Sequence, residues 1–135
     1  MDEKKTLGKV SKVAIHYEMF EDWMVTAIEG GSNYWYSIQD GAMPKSIVAK
    51  YESEKLPFSI LFSKAIWIDK LSIPVHYIET GEVLGSIDMK SVKKALEAIC
   101  EHHSEIFESL MNGHFDAEDA DVFFQYAVIG ELTFG

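Results

Sequence analysis

The spacing of apolar residues predicts a chain of helices interrupted by short strands. From about Val10 to Ile28, apolar residues recur at intervals of three and four, which is the period of an amphipathic helix. Gly30 and Gly31 follow this stretch. Because glycine accepts the left-handed conformation that closes many helices, we predict that the first helix ends there.

The middle of the chain mixes strand and helix signals. Residues 33–38 are rich in aromatic side chains and predict a strand that ends at the turn Asp40-Gly41. Residues 46–54 predict a short helix. The apolar run 58–62 is typical of either a buried strand or a helix, and its period does not separate the two.

Two helices are predicted for the C-terminal third of the chain. The first begins at a cap formed by Asp88 or Ser91 and continues without interruption to Gly113. The second begins at Asp116, which can accept hydrogen bonds from the free backbone amides of a first turn, and it extends towards Gly130.

Residues 71–87 predict a hairpin that turns at Thr80-Gly81. Pro74 lacks a backbone donor, so it favours an edge strand or a bulge at that position. The order helix, strand, hairpin and helices indicates an α+β fold, in which a small antiparallel sheet packs against three or four helices. Without a linker or a repeat, residues 1–135 are expected to form one domain.

The charge of the chain is unevenly distributed. The first 94 residues hold all 12 lysines and 13 acids, whereas residues 95–135 hold nine acids and no lysine. The chain contains no arginine. A net charge of -10 argues against nucleic-acid binding and against docking on anionic membranes, and the missing arginine removes bidentate phosphate contacts.

The remaining composition predicts a location in a reducing cytoplasm. Cys100 is the single cysteine, which excludes an internal disulfide. The residues from Met1 to Lys5 do not have the apolar core of a signal peptide, and no apolar run approaches the length of a membrane span.

The segment between the first helix and the aromatic strand carries the most unusual chemistry. Glycines allow a ligand to approach the backbone, amide groups both donate and accept hydrogen bonds, and aromatic rings stack on planar bases. The alternative is a glycine-terminated helix followed by an ordinary buried strand. The candidate ligand-binding residues here are Glu29, Gly30, Gly31, Ser32, Asn33, Tyr34 and Trp35.

Two polar residues interrupt the apolar run of the last predicted helix. Asp121 and Gln125 are four positions apart, so we expect them to lie side by side on one helix face. Either they line a polar pocket or they bond a neighbouring buried backbone. The sequence leaves both interpretations open.

No catalytic, metal or cofactor site is predicted. The histidines near Cys100 lack ligand spacing, and His103 falls on the apolar seam of its predicted helix. Neither a GxSxG motif nor a phosphate-binding glycine loop is present. Acid–base chemistry at Glu29 stays open as a hydrolase alternative, but the sequence favours binding over catalysis.

The segment from Thr26 to Tyr36 resembles the T-A-[LI]-E-G-G-x-x-Y-W block of a family of small bacteriophage-encoded proteins. The stretch from Asp119 to Gly135 is similar to that family's second block, D-x-x-x-Q-x-x-x-x-G-E-x-x-[YF]-G. The two blocks cover about 28 residues. The resemblance implies a phage accessory protein in the cytoplasm of an infected bacterial host. Such small phage genes often encode counter-defence proteins.

Two functions are therefore expected from the sequence. The first is a nucleotide sponge, a protein that sequesters a small nucleotide-derived immune signal in a pocket built from both blocks. The alternative is an acidic inhibitor of a host defence protein, with the carboxylates of residues 97–121 imitating DNA. Neither requires a cofactor, and both allow a homo-oligomer.

Overall fold

A computed structural model describes residues 14–135 as an α+β domain of six helices and a three-stranded antiparallel sheet. The elements in chain order are α1 (Tyr17–Thr26) with a π-helical turn (Ala27–Gly31), β1 (Tyr36–Ser37), α2 (Lys45–Tyr51) with a 3-10 turn (Glu52–Glu54), α3 (Phe58–Trp67), β2 (Ile73–Tyr77), β3 (Val83–Ile87), α4 (Met89–His102), α5 (Ser104–Asn112) and α6 (Ala117–Val128).

The sheet has the order β1-β2-β3, and the predicted hairpin of residues 71–87 is its larger part. Pro74 lies in the central strand, not in an edge strand. However, β1 pairs only with His76 and Tyr77, so β2 has a single neighbour at Pro74. A register shift between Val75 and His76 provides the bulge that the proline favoured.

Aromatic side chains form the centre of the core. Trp23 packs against Phe123 with ring centroids 5.1 Å apart, and its indole donates a hydrogen bond of 3.1 Å to the carbonyl oxygen of Leu110. On the sheet side, Trp35 packs against Phe124 at 5.3 Å. The helix α6 therefore connects the helical and the sheet parts of one core.

The first helix differs from its prediction in where it starts and in how it ends, although the helical stretch does end at Gly31 as predicted. Its predicted start at Val10 lies outside the described residues, and His16 is extended, so α1 begins only at Tyr17. The prediction that a left-handed glycine ends the helix is wrong, because the chain continues through Gly31 as a π-helical turn. The widened turn carries Ser32 one position further round, where its amide bonds the carbonyl of Ala27 at 2.8 Å.

The single helix predicted up to Gly113 is two helices that meet at His103. His103 leaves helical geometry with φ -141° and ψ 61°, and its Nε2 lies 3.1 Å from the hydroxyl of Tyr126 on α6. A contact that a residue makes with a distant helix has no signature in local periodicity. The end at Gly113 is confirmed by its left-handed φ of 82°.

Other local predictions are confirmed with adjusted limits. Both candidates for the α4 cap act together, since Asp88 and Ser91 form a reciprocal capping box. Asp116 caps α6 in the same way with Asp119. The ambiguous run 58–62 is helical, and only Tyr36 and Ser37 of the predicted strand 33–38 pair with the sheet.

Gly31 is required by a close approach between two segments of backbone. A Cβ atom at Gly31 would lie 2.4 Å from the carbonyl oxygen of Ala117, at the first turn of α6. At the neighbouring Gly30, a Cβ atom would meet nothing within 4 Å. Substitutions at these two glycines therefore distinguish a steric clash with α6 from a change in helix propensity.

We predict that Gly31→Ala lowers the free energy of unfolding by about 1–3 kcal/mol, because the methyl group must push α6 away from the π-helical turn. Gly30→Ala is the matched control and is expected to be neutral or to stabilise by up to about 1 kcal/mol. Urea denaturation followed by circular dichroism measures both. Equal effects of the two substitutions would contradict the close approach.

Candidate functional site

A buried carboxylate lies at the centre of the candidate site. Asp121 is only 8% exposed, and its side chain accepts four hydrogen bonds from uncharged donors. Oδ1 accepts from the hydroxyl of Ser32 at 2.6 Å and from the indole of Trp35 at 2.8 Å. Oδ2 accepts from the hydroxyl of Tyr34 at 2.7 Å and from Nε2 of Gln125 at 3.0 Å.

Local geometry explains how these groups reach one carboxylate. Gln125 follows Asp121 by one helical turn on α6, so the two side chains lie on the same face. Ser32, Tyr34 and Trp35 belong to the turn after Gly31, which the missing Cβ atom allows to lie against α6. The two sequence blocks therefore meet through Asp121.

The carboxylate changes the ionisation of its most exposed donor. Partial burial, followed by the hydrogen bond from Tyr34 to Asp121 and the negative charge of Asp121, raises the pKa of Tyr34 to about 12. The phenol therefore stays protonated and keeps donating far above neutral pH.

Gln125 holds residues 130–135 against the same site. Its Oε1 accepts hydrogen bonds from the backbone amides of Thr133 at 2.8 Å and Phe134 at 2.9 Å. Its Nε2 also donates to the carbonyl oxygen of Phe134 at 3.2 Å. We call residues 130–135 the strap. The sequence left two interpretations open for Asp121 and Gln125. Both features are present, because Gln125 bonds the backbone of the strap and the two side chains also line a groove.

An open groove of about 530 Å³ adjoins these contacts. It lies between the π-helical turn, α6 and the strap, and Ile106 of α5 completes its wall. Its volume falls within the range of about 300–1,000 Å³ that is typical of small-molecule sites. The lining comprises Gly30, Gly31, Tyr34, Ile106, Ala117, Glu118, Asp119, Asp121, Val122, Gln125, Leu132, Phe134 and Gly135.

The groove combines apolar walls with negative charge. Glu118, Asp119 and Asp121 line it, and no lysine or histidine is among the described lining residues. Burial raises the pKa of Asp119, and the nearby negative charges of Asp116 and Glu118 raise it further, although a backbone hydrogen bond opposes the shift. A cation placed here would relieve the repulsion between these carboxylates.

The predicted site residues separate into three groups. Ser32, Tyr34, Trp35, Asp121 and Gln125 are brought together by hydrogen bonds, and Gly30 and Gly31 line the groove with backbone. Glu29 and Asn33 form the third group, because they belong neither to these hydrogen bonds nor to the groove lining.

The individual positions change what two of these residues can do. Glu29 accepts a hydrogen bond of 2.5 Å from Ser59 of α3. Trp35 is fully buried between Phe124 and Phe134, so its faces are covered in this structure.

Several groove residues were not among the predicted site residues. Glu118 and Asp119 had been assigned to an acidic surface, and Ile106 belongs to α5, which the sequence did not separate from α4. Phe134 lies inside the second sequence block, which was the available signal for it. No local pattern places Ile106 beside the π-helical turn, because that proximity depends on how α5 and α6 pack.

Three further features of the described residues complete the description of the site. Within residues 14–135, no group of three or more His, Cys, Asp or Glu side chains is placed to hold a metal ion. None of the described helices has the length and apolarity needed to cross a membrane. His103, between α4 and α5, is half-buried beside Tyr126.

Comparisons with protein families, with curated proteins and with solved structures find no match to this chain.

We predict that Asp121→Asn lowers the free energy of unfolding by about 1–3 kcal/mol for each buried donor that loses its acceptor. The NH2 group of the new asparagine would replace one carboxylate oxygen and face two of the four donors. It cannot accept their hydrogen bonds, because it is itself a donor. Glu118→Gln removes the same charge at an exposed position of α6 and is expected to change stability by less than about 0.5 kcal/mol. Thermal and urea denaturation compare the two, and equal losses would contradict the central role of Asp121.

We also predict a stability change with pH that depends on Tyr34. An unfolded tyrosine ionises near pH 10, whereas folded Tyr34 keeps its proton to about pH 12. Its contribution to folding is therefore complete below pH 10 and is lost as the pH rises from 10 to 12. Tyr34→Phe should flatten the fall in unfolding free energy across that window. Parallel curves for the two proteins would refute this assignment.

Proposed function

We propose that this chain is an acidic binding protein whose groove receives a basic side chain of a partner protein. The observation that carries this proposal is the groove lining, which combines apolar walls with the carboxylates of Glu118 and Asp119 above the buried Asp121 and, among the described residues, no lysine or histidine. A lysine or arginine side chain matches both features, because its methylene stem can pack on apolar walls while its head pairs with carboxylates.

Electrostatics distinguish between ligand classes here. Two unit charges 4 Å apart interact by about 1 kcal/mol in water and by about 4 kcal/mol under the screening that is typical near a protein surface. A phosphate in the groove would meet repulsion of this size from Glu118 and Asp119, whereas a guanidinium or ammonium would gain it. Charge therefore favours a cationic ligand group.

The surroundings of the groove favour a protein over a small cation. Glu105 and Glu108 are exposed on α5, whose Ile106 lines the groove, so the acidic surface continues beyond the cavity. An extended surface of one sign accelerates and orients the approach of an oppositely charged protein. The resemblance to phage proteins supplies a setting in which the partner is a basic host defence factor.

A second proposal retains the sequence-based expectation of a nucleotide-derived ligand. Its supporting observation is the convergence of both sequence blocks beside a groove of about 530 Å³, a size that suits a nucleoside. Because carboxylates line the groove, such a ligand would be held through its base, with any phosphate directed towards solvent.

We predict that a capped tri-arginine peptide binds the wild-type protein and that capped tri-glutamate does not. Replacing Glu105 and Glu118 with lysine should weaken tri-arginine binding by at least about tenfold, because attraction becomes repulsion. Isothermal titration calorimetry at two salt concentrations measures both effects, and higher salt should weaken wild-type binding.

The matched control places lysines at Glu52 and Glu54, which are exposed on the 3-10 turn after α2. This double variant changes the net charge equally but leaves the groove intact. Equal weakening in both double variants would attribute binding to overall charge. It would overturn the proposal that the groove is the binding site. Absence of tri-arginine binding at low salt would overturn the proposal as well.

A further inference from the structure

The ring of Phe134 occupies a slot between two aromatic side chains. It stacks on Trp35 with centroids 5.3 Å apart and planes 16° from parallel. On its other side it stacks on Tyr77 of β2 with centroids 5.2 Å apart and planes 17° from parallel. The slot therefore holds one planar group between two parallel faces.

The backbone of the same residue pairs with the amide of Gln125. The N–H of Phe134 donates to Oε1 at 2.9 Å, and its carbonyl oxygen accepts from Nε2 at 3.2 Å. Since Nε2 also donates to Asp121, the carboxylate fixes which end of the amide is the donor. Asp121 thus acts as a positioning residue for the polar edge of the slot.

Phe134 presents a planar ring together with an adjacent donor and acceptor. An adenine base carries the same three features, because its amino group donates beside a ring nitrogen that accepts. A glutamine amide is a well-known bidentate partner for that edge of adenine. Base stacking on aromatic side chains supplies the remaining part of recognition.

The strap is attached at two places, the side chain of Gln125 and the aromatic slot that holds the ring of Phe134. Residues 130–135 belong to no helix or strand, and the backbone of the strap is bonded mainly through Gln125. Segments without regular secondary structure of their own open at lower free energy than the core that supports them. Phe134 and Gln125 both line the groove, so displacement of the strap would connect the groove with the slot.

We propose that the slot between Trp35 and Tyr77 is an adenine-binding site, which Phe134 of the strap occupies in this structure. The ligand is a purine base with an adjacent donor and acceptor, held as an uncharged nucleoside or with its phosphates away from the carboxylates of the groove. This inference rests on the second proposal above, a nucleotide-derived ligand, and assigns the base to a defined position.

The test compares adenosine binding to the wild-type chain and to Phe134→Ala by calorimetry. Removing the competing ring should strengthen adenosine binding by about tenfold or more. N6,N6-dimethyladenosine lacks the amino donor and should bind the variant at least about tenfold more weakly than adenosine. Glu131→Gln, an exposed position of the same strap outside the groove lining, is the matched control and should keep the wild-type affinity.

Circular dichroism establishes that each variant is folded. If Phe134→Ala unfolds, Phe134→Leu retains apolar volume without a planar ring and is also expected to bind adenosine more tightly than the wild type. If the folded Phe134 variants do not bind adenosine, the proposal that the slot is an adenine-binding site is overturned. Equal affinity for wild type and variants, or for adenosine and its dimethyl analogue, would also overturn it. Equal binding by wild type and variants would still leave a nucleoside site in the groove.

Discussion

The structure depends on a buried carboxylate that has four uncharged donors around it. Burying an isolated charge costs several kcal/mol, and hydrogen bonds to a charged group return about 1.5–3 kcal/mol each. Ser32, Tyr34, Trp35 and Gln125 converge on Asp121, and their four hydrogen bonds together offset that cost. The requirement joins residues that are up to 89 positions apart and closes the turn after α1 against α6.

This closure gives the polar residues of the two sequence blocks two different roles. Those that point inwards are consumed by hydrogen bonds within the fold, and Trp35 is covered on both faces. Of these, Tyr34, Asp121 and Gln125 also line the groove beside Glu118 and Asp119, whereas Glu29 and Asn33 lie outside it. A segment that is rich in pocket chemistry can therefore serve chiefly to support the wall of a pocket, while its neighbours provide the contact surface.

The accuracy of the sequence-based predictions follows the range of the interactions involved. The caps at Asp88 and Asp116 were predictable because a capping box spans only three residues. The break at His103 and the π-helical turn before Ser32 were not, because each depends on α6. The side-by-side placement of Asp121 and Gln125 was correct, whereas their partners lay beyond the reach of helix periodicity.

By itself, the sequence determined the α+β class, the local caps, the hairpin and the concentration of negative charge in residues 95–135. These properties arise from neighbouring residues or from composition. Only the tertiary structure decided that Gly31 is needed for space, that Phe134 fills an aromatic slot, and that Glu29 lies outside the groove. Each of these depends on the distance between segments far apart in the chain, which packing of α6 against the π-helical turn and the sheet sets.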